Sequence, residues 1–137
     1  MQWAAIQGDW WTVPATKNGR SHRVPLSPEA LQTLSEVPRR GEYVFASRKR
    51  PGEPLRGYRK AFNRACASAG IENARGHDLR RTAASMMASM GVSRIVISQV
   101  LNHADRSVTS IYDRYSYDAE KRTALELWSD RLRRLAR

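Results

Sequence analysis

A single cysteine, Cys66, in 137 residues rules out an internal disulfide, so the fold must rest on its core rather than on cross-links. A lone thiol fits a reducing compartment, and the expected location is cytoplasmic. No apolar run approaches the roughly 18 residues of a membrane span, and the N-terminus lacks the basic-then-apolar layout of a secretion signal. No membrane partner is therefore expected. Acids are scarce: 13 Asp and Glu stand against 24 Lys and Arg, a formal net charge of +11. The deficit is not gathered in a tail, since residues 1–60 hold 11 basic and 5 acidic side chains and residues 61–137 hold 13 and 8. Charge spread in this way describes a basic folded surface, which favours a polyanion, DNA or RNA ahead of membrane. The few aromatics form no stacking platform on any strand, which disfavours RNA.

What is present is enough for one folded domain over residues 1–137, with 41% hydrophobic residues, four tryptophans and no low-complexity tract. Residues 9–15 and 21–26 are short and rich in Trp, Thr and Val, with the turn dipeptide Asn18-Gly19 between them, so a β-hairpin is predicted with Lys17 at its tip. Ser27-Pro28-Glu29 reads as a helix start, Ser as N-cap and Pro at the first helical position, with the helix running to about Val37. Glu42 to Ala46 reads as a brief strand, and residues 48–55 as a loop. The period then becomes helical. A helix over 56–69 ends at Gly70, with Cys66 read as a small core residue. A second, over 78–90, buries Leu79, Ala83, Met86, Met87 and Met90 and closes at Gly91. Ser93 caps a third through Leu101, Ser107 to Tyr112 forms a short fourth, and a last helix starts near Asp118. Its stripe of Leu125, Trp128, Leu132 and Leu135 is expected to close its own core. The expected class is α+β and mostly helical: a small N-terminal hairpin or sheet, then a helical body.

The chemistry-bearing residues are His77-Asp78-Leu79-Arg80, His103, and Tyr112 nine residues on. The spacing of i to i+3 puts His77 and Arg80 on one helix face, and with Leu79 leading the core stripe both are expected to point outward. A helix start also favours an anion. An H-x-x-R match is common by chance in a chain with 20 arginines, so each piece alone reads as structural: a capping histidine, a solvated arginine, a histidine at a helix end, a packed tyrosine. Together they are two imidazoles, a permanent cation and a phenol, which can hold a phosphodiester and attack it. Tyr115 and Tyr117 compete with Tyr112 for the role of nucleophile. His22, with no partner at catalytic spacing, is read as surface.

The whole chain resembles the catalytic domain of tyrosine recombinases, the phage integrase family. The resemblance rests on Trp3 through Pro25 with Thr16-Lys17-Asn18-Gly19-Arg20 and His22-Arg23-Val24-Pro25-Leu26, then His77-Asp78-Leu79-Arg80-Arg81-Thr82, Leu101-Asn102-His103 and Tyr112. It implies that Tyr112 is the nucleophile and that Lys17 donates a proton to the leaving 5′ oxygen. His77 would be the acid/base histidine, Arg80 the second phosphate-binding arginine, and His103 a hydrogen-bond donor to the phosphate. It further implies double-stranded DNA as partner, self-association on DNA into a tetrameric synapse, no metal or nucleotide cofactor, and site-specific recombination through a 3′-phosphotyrosyl intermediate. In that family the segment after the tyrosine often docks on a neighbouring protomer.

Two departures stand out. Asn102 replaces the family's glycine, at small cost because Asn tolerates left-handed backbone. The family's first catalytic arginine lies on a helix before the Trp3 strand, and none of Arg20, Arg23 or Arg39 takes its place. The expectation is a catalytic-domain fragment lacking its first helices and the core-binding domain, with DNA affinity and impaired turnover. The alternative is a non-catalytic DNA-binding or regulatory module of the same fold.

Overall fold

The computed structural model describes residues 1–14, 21–103 and 115–136. It opens on a 3-10 turn, Trp3–Ala5, and a three-stranded antiparallel sheet, β1 (Ile6–Gln7), β2 (Trp10–Val13) and β3 (His22–Pro25), in the order β1-β2-β3. The predicted hairpin is β2–β3, registered Trp10↔Pro25 to Val13↔His22. The predicted tip with Lys17 lies outside the described residues. β1 escaped the sequence reading because it is two residues long, yet its signal is present. Gln7 pairs with Trp10 across Gly8-Asp9, and Gly8 adopts φ +58°, which a two-residue hairpin loop demands.

Five α-helices follow among the described residues: α1 (Pro28–Ser35), α2 (Arg59–Ser68), α3 (Gly76–Ser89), α4 (Arg94–Val100) and α5 (Asp118–Leu135). The N-caps are as expected, Ser27 Oγ accepting from Ala30 N and Ser93 Oγ from Val96 N, both at 3.3 Å. Two ends close by one mechanism. At Gly70, the Ile71 N–H reaches back to Cys66 O (2.9 Å), and at Gly91 the Val92 N–H reaches Met87 O (3.1 Å), each glycine holding positive φ. The predicted short helix over 107–112 lies outside the described residues. None of the described helices is long and apolar enough to cross a membrane.

Four expectations fail for identifiable reasons. Glu42 to Ala46 is not a strand: isolated bridges Gln2↔Tyr43 and Ala46↔Pro54 flank a turn that buries Val44. α2 starts at Arg59 instead of 56 because Gly57 holds φ +84°, incompatible with a helical first turn. Cys66 is half-buried on a helix with no fully buried residue, so it is not core. Leu79 is 63% exposed and falls out of the expected stripe, of which Ala83, Met87 and Met90 do join the core, while Arg80 turns half-buried on the row of Ala84 and Met87. A long aliphatic stem ending in a cation can occupy such a position where the charge finds an acceptor.

The core joins α3, α4 and α5 around Met87, Val96, Ile97 and Ala124, with Ala83, Met90 and Trp128 packed against it. α5 also binds the sheet, through a polar face. Lys121, only 5% exposed, donates to Arg23 O (3.0 Å) and pairs with Asp118 (2.8 Å). Asp118 in turn takes Arg23 at 3.1 Å, and the Arg23 and Arg122 guanidinium groups lie 4.3 and 5.0 Å from the Trp10 ring centre. Further along, the Ser129 hydroxyl lies 2.9 Å from that of Ser27 and also meets Glu29. The stripe predicted for α5 is therefore displaced: Lys121, Ala124 and Ser129 are buried, Trp128 is half-buried, and Leu132 and Leu135 are 46% and 62% exposed. The helix outruns the elements it packs on.

The side-chain hydrogen bond from Arg122 holds the Asp9 carboxyl below its ordinary pKa, and that from Ser129 does the same for Glu29. Both groups then favour the fold above the unfolded carboxylate range, and that contribution is lost as pH falls through their depressed values.

The exclusion of Leu79 from the α3 core stripe has a direct test. Met87→Ala is expected to lower unfolding free energy by about 2–5 kcal/mol in urea denaturation, whereas Leu79→Ala should change it by no more than about 0.5 kcal/mol. Equal losses at the two positions would restore Leu79 to the core stripe read from the sequence.

Candidate active site

The C-terminal end of α4 is where Arg80 and His103 come together. The helix ends at Leu101, and Asn102 turns the backbone left-handed at φ +51°. Asn102 N–H then bonds Gln99 O (3.2 Å) and His103 N–H bonds Ser98 O (3.0 Å), the same two-bond closure that glycine makes at the ends of α2 and α3. This closure delivers the His103 side chain, exposed, at a fixed point beyond the helix. Asn102 does at this corner what glycine does at the other two, as expected for the one common residue besides glycine that tolerates αL.

Arg80 reaches the same corner from α3. Its guanidinium Nη2 donates to Leu101 O, a carbonyl that α4 leaves without a helical partner. The bond explains why an arginine can hold an inward position: the stem packs along the core row and the charge meets the negative end of the α4 dipole. A guanidinium has five N–H donors, and this carbonyl occupies one. Arg80 is thus aimed by α4 and does not stand free in solvent as expected from the sequence.

His77 lies one turn before Arg80 in the first turn of α3 and is exposed. Its position is set by two contacts. Asp78 Oδ2 accepts from Arg75 N–H (2.8 Å), capping the helix start, and the Tyr58 ring lies against Gly76. A Cβ at position 76 would stand 2.9 Å from Tyr58 Cζ, so only glycine lets the ring pack there. His77, Arg80 and His103 therefore occupy one neighbourhood, built from the start of α3 and the end of α4. Lys17 and Tyr112, the remaining two residues singled out in the sequence, lie outside the described residues.

Two residues that the sequence reading passed over belong to this neighbourhood. His22, taken as surface, is half-buried on β3. Desolvation lowers its pKa, and the nearby Lys121 and Arg80 lower it further, against a backbone hydrogen bond at Val100 that raises it. The missed signal is the strand alternation: His22 and Val24 share the less exposed face of β3, while Arg23 faces out. Lys121 gave no signal, because nothing in an amphipathic pattern distinguishes a lysine whose ammonium will be buried.

The competing phenols fare differently. A hydrogen bond to Glu120, with that carboxylate's charge, raises the Tyr115 pKa, which opposes formation of a phenolate. Tyr117 packs against the core cluster at the start of α5, its ring edge-on to Tyr115 at 4.9 Å. The Tyr115 environment therefore works against a nucleophilic phenolate.

Among known proteins, the model of the phage integrase family matches residues 1–119. No curated protein and no solved structure matches the chain.

The corner itself can be tested. Asn102→Gly should leave thermal stability unchanged or slightly higher, whereas Asn102→Ala should cost about 1–2 kcal/mol, because alanine enters the left-handed region at that penalty. Identical melting temperatures for the two variants would show that the turn does not need positive φ.

Proposed function

The chain belongs to the phage integrase family, whose business is site-specific DNA recombination, and from that membership we propose that it is the catalytic segment of a tyrosine recombinase acting by transesterification. The observation that carries the proposal is the convergence of Arg80 and His103 on the end of α4, with His77 one turn away on α3. Three groups that bind or protonate phosphate oxygens come together from separate parts of the chain, in a protein of formal charge +11. Double-stranded DNA is the polyanion that fits both.

In the proposed reaction the Tyr112 oxygen attacks a backbone phosphorus in line with the departing 5′ oxygen. The tyrosyl O–P bond forms, the P–O5′ bond breaks, and Lys17 supplies the proton that the leaving oxygen needs. A phenol with an ordinary pKa of about 10 is a weak nucleophile at neutral pH, so its proton must be taken during the attack, and His77 is the group assigned to that transfer. Arg80 and His103 donate hydrogen bonds to the non-bridging oxygens, where charge grows in the transition state. The 3′-phosphotyrosyl bond conserves the phosphodiester energy, so a 5′ hydroxyl from another strand can reverse the step with no cofactor. The raised pKa of Tyr115 supports leaving that residue out of the reaction. Strand exchange between two duplexes calls for several copies on DNA, in keeping with the tetrameric synapse that the family resemblance implies.

Incubated with a pool of nicked duplexes, the recombinase containing this chain is expected to form a covalent protein–DNA adduct, read as a shifted band under denaturing conditions. Tyr112→Phe should abolish it. Arg80→Ala should slow its formation by about 10²–10³-fold, and Arg80→Lys should not restore the rate, because an ammonium lacks the planar fork of donors. An undiminished adduct from Tyr112→Phe would move the nucleophile elsewhere, and one from Arg80→Ala would remove the phosphate-binding role from this corner.

A further inference from the structure

We propose that the loop between Ser47 and Arg56 is a second DNA contact, a rigid clamp for backbone phosphates lying outside the candidate active site. Its charge singles it out. Residues 1–60 hold 11 basic and 5 acidic side chains, and residues 48–60 alone hold 6 and 1 of these: Arg48, Lys49, Arg50, Arg56, Arg59 and Lys60 against Glu53. Five of the six excess positive charges in that half therefore fall in its last 13 positions. All six cations are exposed. Such a density repels itself, a cost that a bound polyanion relieves.

The loop is tied down by its own backbone. An isolated bridge joins Ala46 to Pro54, and the Leu55 N–H bonds Phe45 O at 2.7 Å. Inside it the Ser47 N–H bonds Glu53 O (2.9 Å) and the Arg50 N–H bonds Ser47 Oγ (3.2 Å). Arg50-Pro51-Gly52-Glu53 closes the tip as a type II turn: the Glu53 N–H returns to Arg50 O (3.1 Å), Pro51 stands second, and Gly52 stands third at φ +82°. Glu53 then holds Arg50 and Arg56 at 3.5 and 3.4 Å from one carboxylate oxygen. At this exposure the two pairs add little stability, but they confine both guanidinium groups. Arg48 and Lys49 form no ion pair with a described residue, and they line one hollow with Arg50 and Arg56. The loop has no aromatic residue from 46 to 57, so it cannot stack bases, whereas its donors suit phosphate oxygens. That favours a duplex, whose bases are paired inside, over a single strand. Position agrees with this. Arg56 lies two residues, at most about 7 Å, from Tyr58, whose ring rests on Gly76 beside His77. Each strand carries a phosphate about every 3.4 Å along the axis, so a duplex with one phosphate at the corner presents others at the loop.

The clamp rests on DNA being the partner, as the recombinase reading holds, and two measurements tell the two apart. The first is binding of duplex DNA to the chain across a range of salt. Arg48→Ala combined with Lys49→Ala should weaken binding about tenfold or more. It should also make the slope of log K against log salt shallower by roughly 2, whatever the DNA sequence. Arg131→Ala combined with Arg134→Ala removes the same charge from the exposed end of α5 and should change the slope by less than about 0.5. All four side chains are exposed and without an ion pair to a described residue, so neither change touches the fold. A wild-type slope from the loop variant, or an equal change from the α5 variant, would overturn the clamp. So would single-stranded RNA held through Arg48 and Lys49 more tightly than the duplex. The second measurement is adduct formation by the recombinase containing the chain. The loop variant should need about tenfold more DNA for half-maximal rate and match wild type within about threefold at saturation. A lower saturating rate with unchanged half-saturation would put the loop in the chemistry and overturn the clamp. Absence of an adduct from wild type itself would strike the recombinase reading and leave the salt titration to decide the clamp.

Discussion

One buried ammonium ties the two halves of this molecule together. Lys121 projects from α5 into the seam between the helical body and the sheet, where it meets the Arg23 carbonyl and the Asp118 carboxylate. Burying a charge is costly unless it is paired and hydrogen-bonded, and here it is both. An apolar residue would fill the same space, but it would leave the strand carbonyl without a donor and Asp118 with Arg23 alone. The ion pair thereby sets where β3 sits along α5. The same α5 side chains that look like an ordinary charged face in the sequence turn out to specify the docking of a sheet.

The candidate site is assembled on the end of a seven-residue helix, α4, and helix ends are suited to this use. The last carbonyls of any helix lack internal partners, and their dipoles draw cations. At α4 those carbonyls are shared among the Asn102 and His103 amides and the Arg80 guanidinium. The arrangement satisfies the backbone and at the same time gathers basic side chains around one spot on the surface. Structural need and, in the proposed reading, phosphate binding are served by the same contacts. This is why each of these residues, taken alone in the sequence, reads as unremarkable capping.

The sequence was most legible where backbone chemistry is strict. Ser27, Ser93, Gly70 and Gly91 mark helix ends through fixed hydrogen-bond and φ requirements, and the structure uses all four as read. Asn102 was legible for the same reason. Reading failed where a long polar side chain replaces an apolar one. Arg80 and Lys121 occupy inward positions, so an apolar-only pattern wrongly added Leu79 to the α3 stripe and shifted α5 toward Leu132 and Leu135. A two-residue strand carries too little periodicity to register, and a half-buried histidine in a hairpin differs from a surface one only by which face of the strand it lies on. In the motif His77-Asp78-Leu79-Arg80, the outward orientation expected of His77 holds and that expected of Arg80 does not.

That error of orientation bears on how such a site works. An arginine free in solvent samples many rotamers, and holding it against a phosphate costs conformational entropy at the moment of binding. An arginine whose stem is packed in the core row and whose guanidinium is already bonded to a helix carbonyl has paid most of that cost during folding. Binding then needs only the donors that the carbonyl leaves unused, presented from a group that scarcely moves. The inward register of Arg80, which looks like a sacrifice of apolar packing, is the feature that converts a flexible cation into a preorganised one, and it depends on α4 ending where it does.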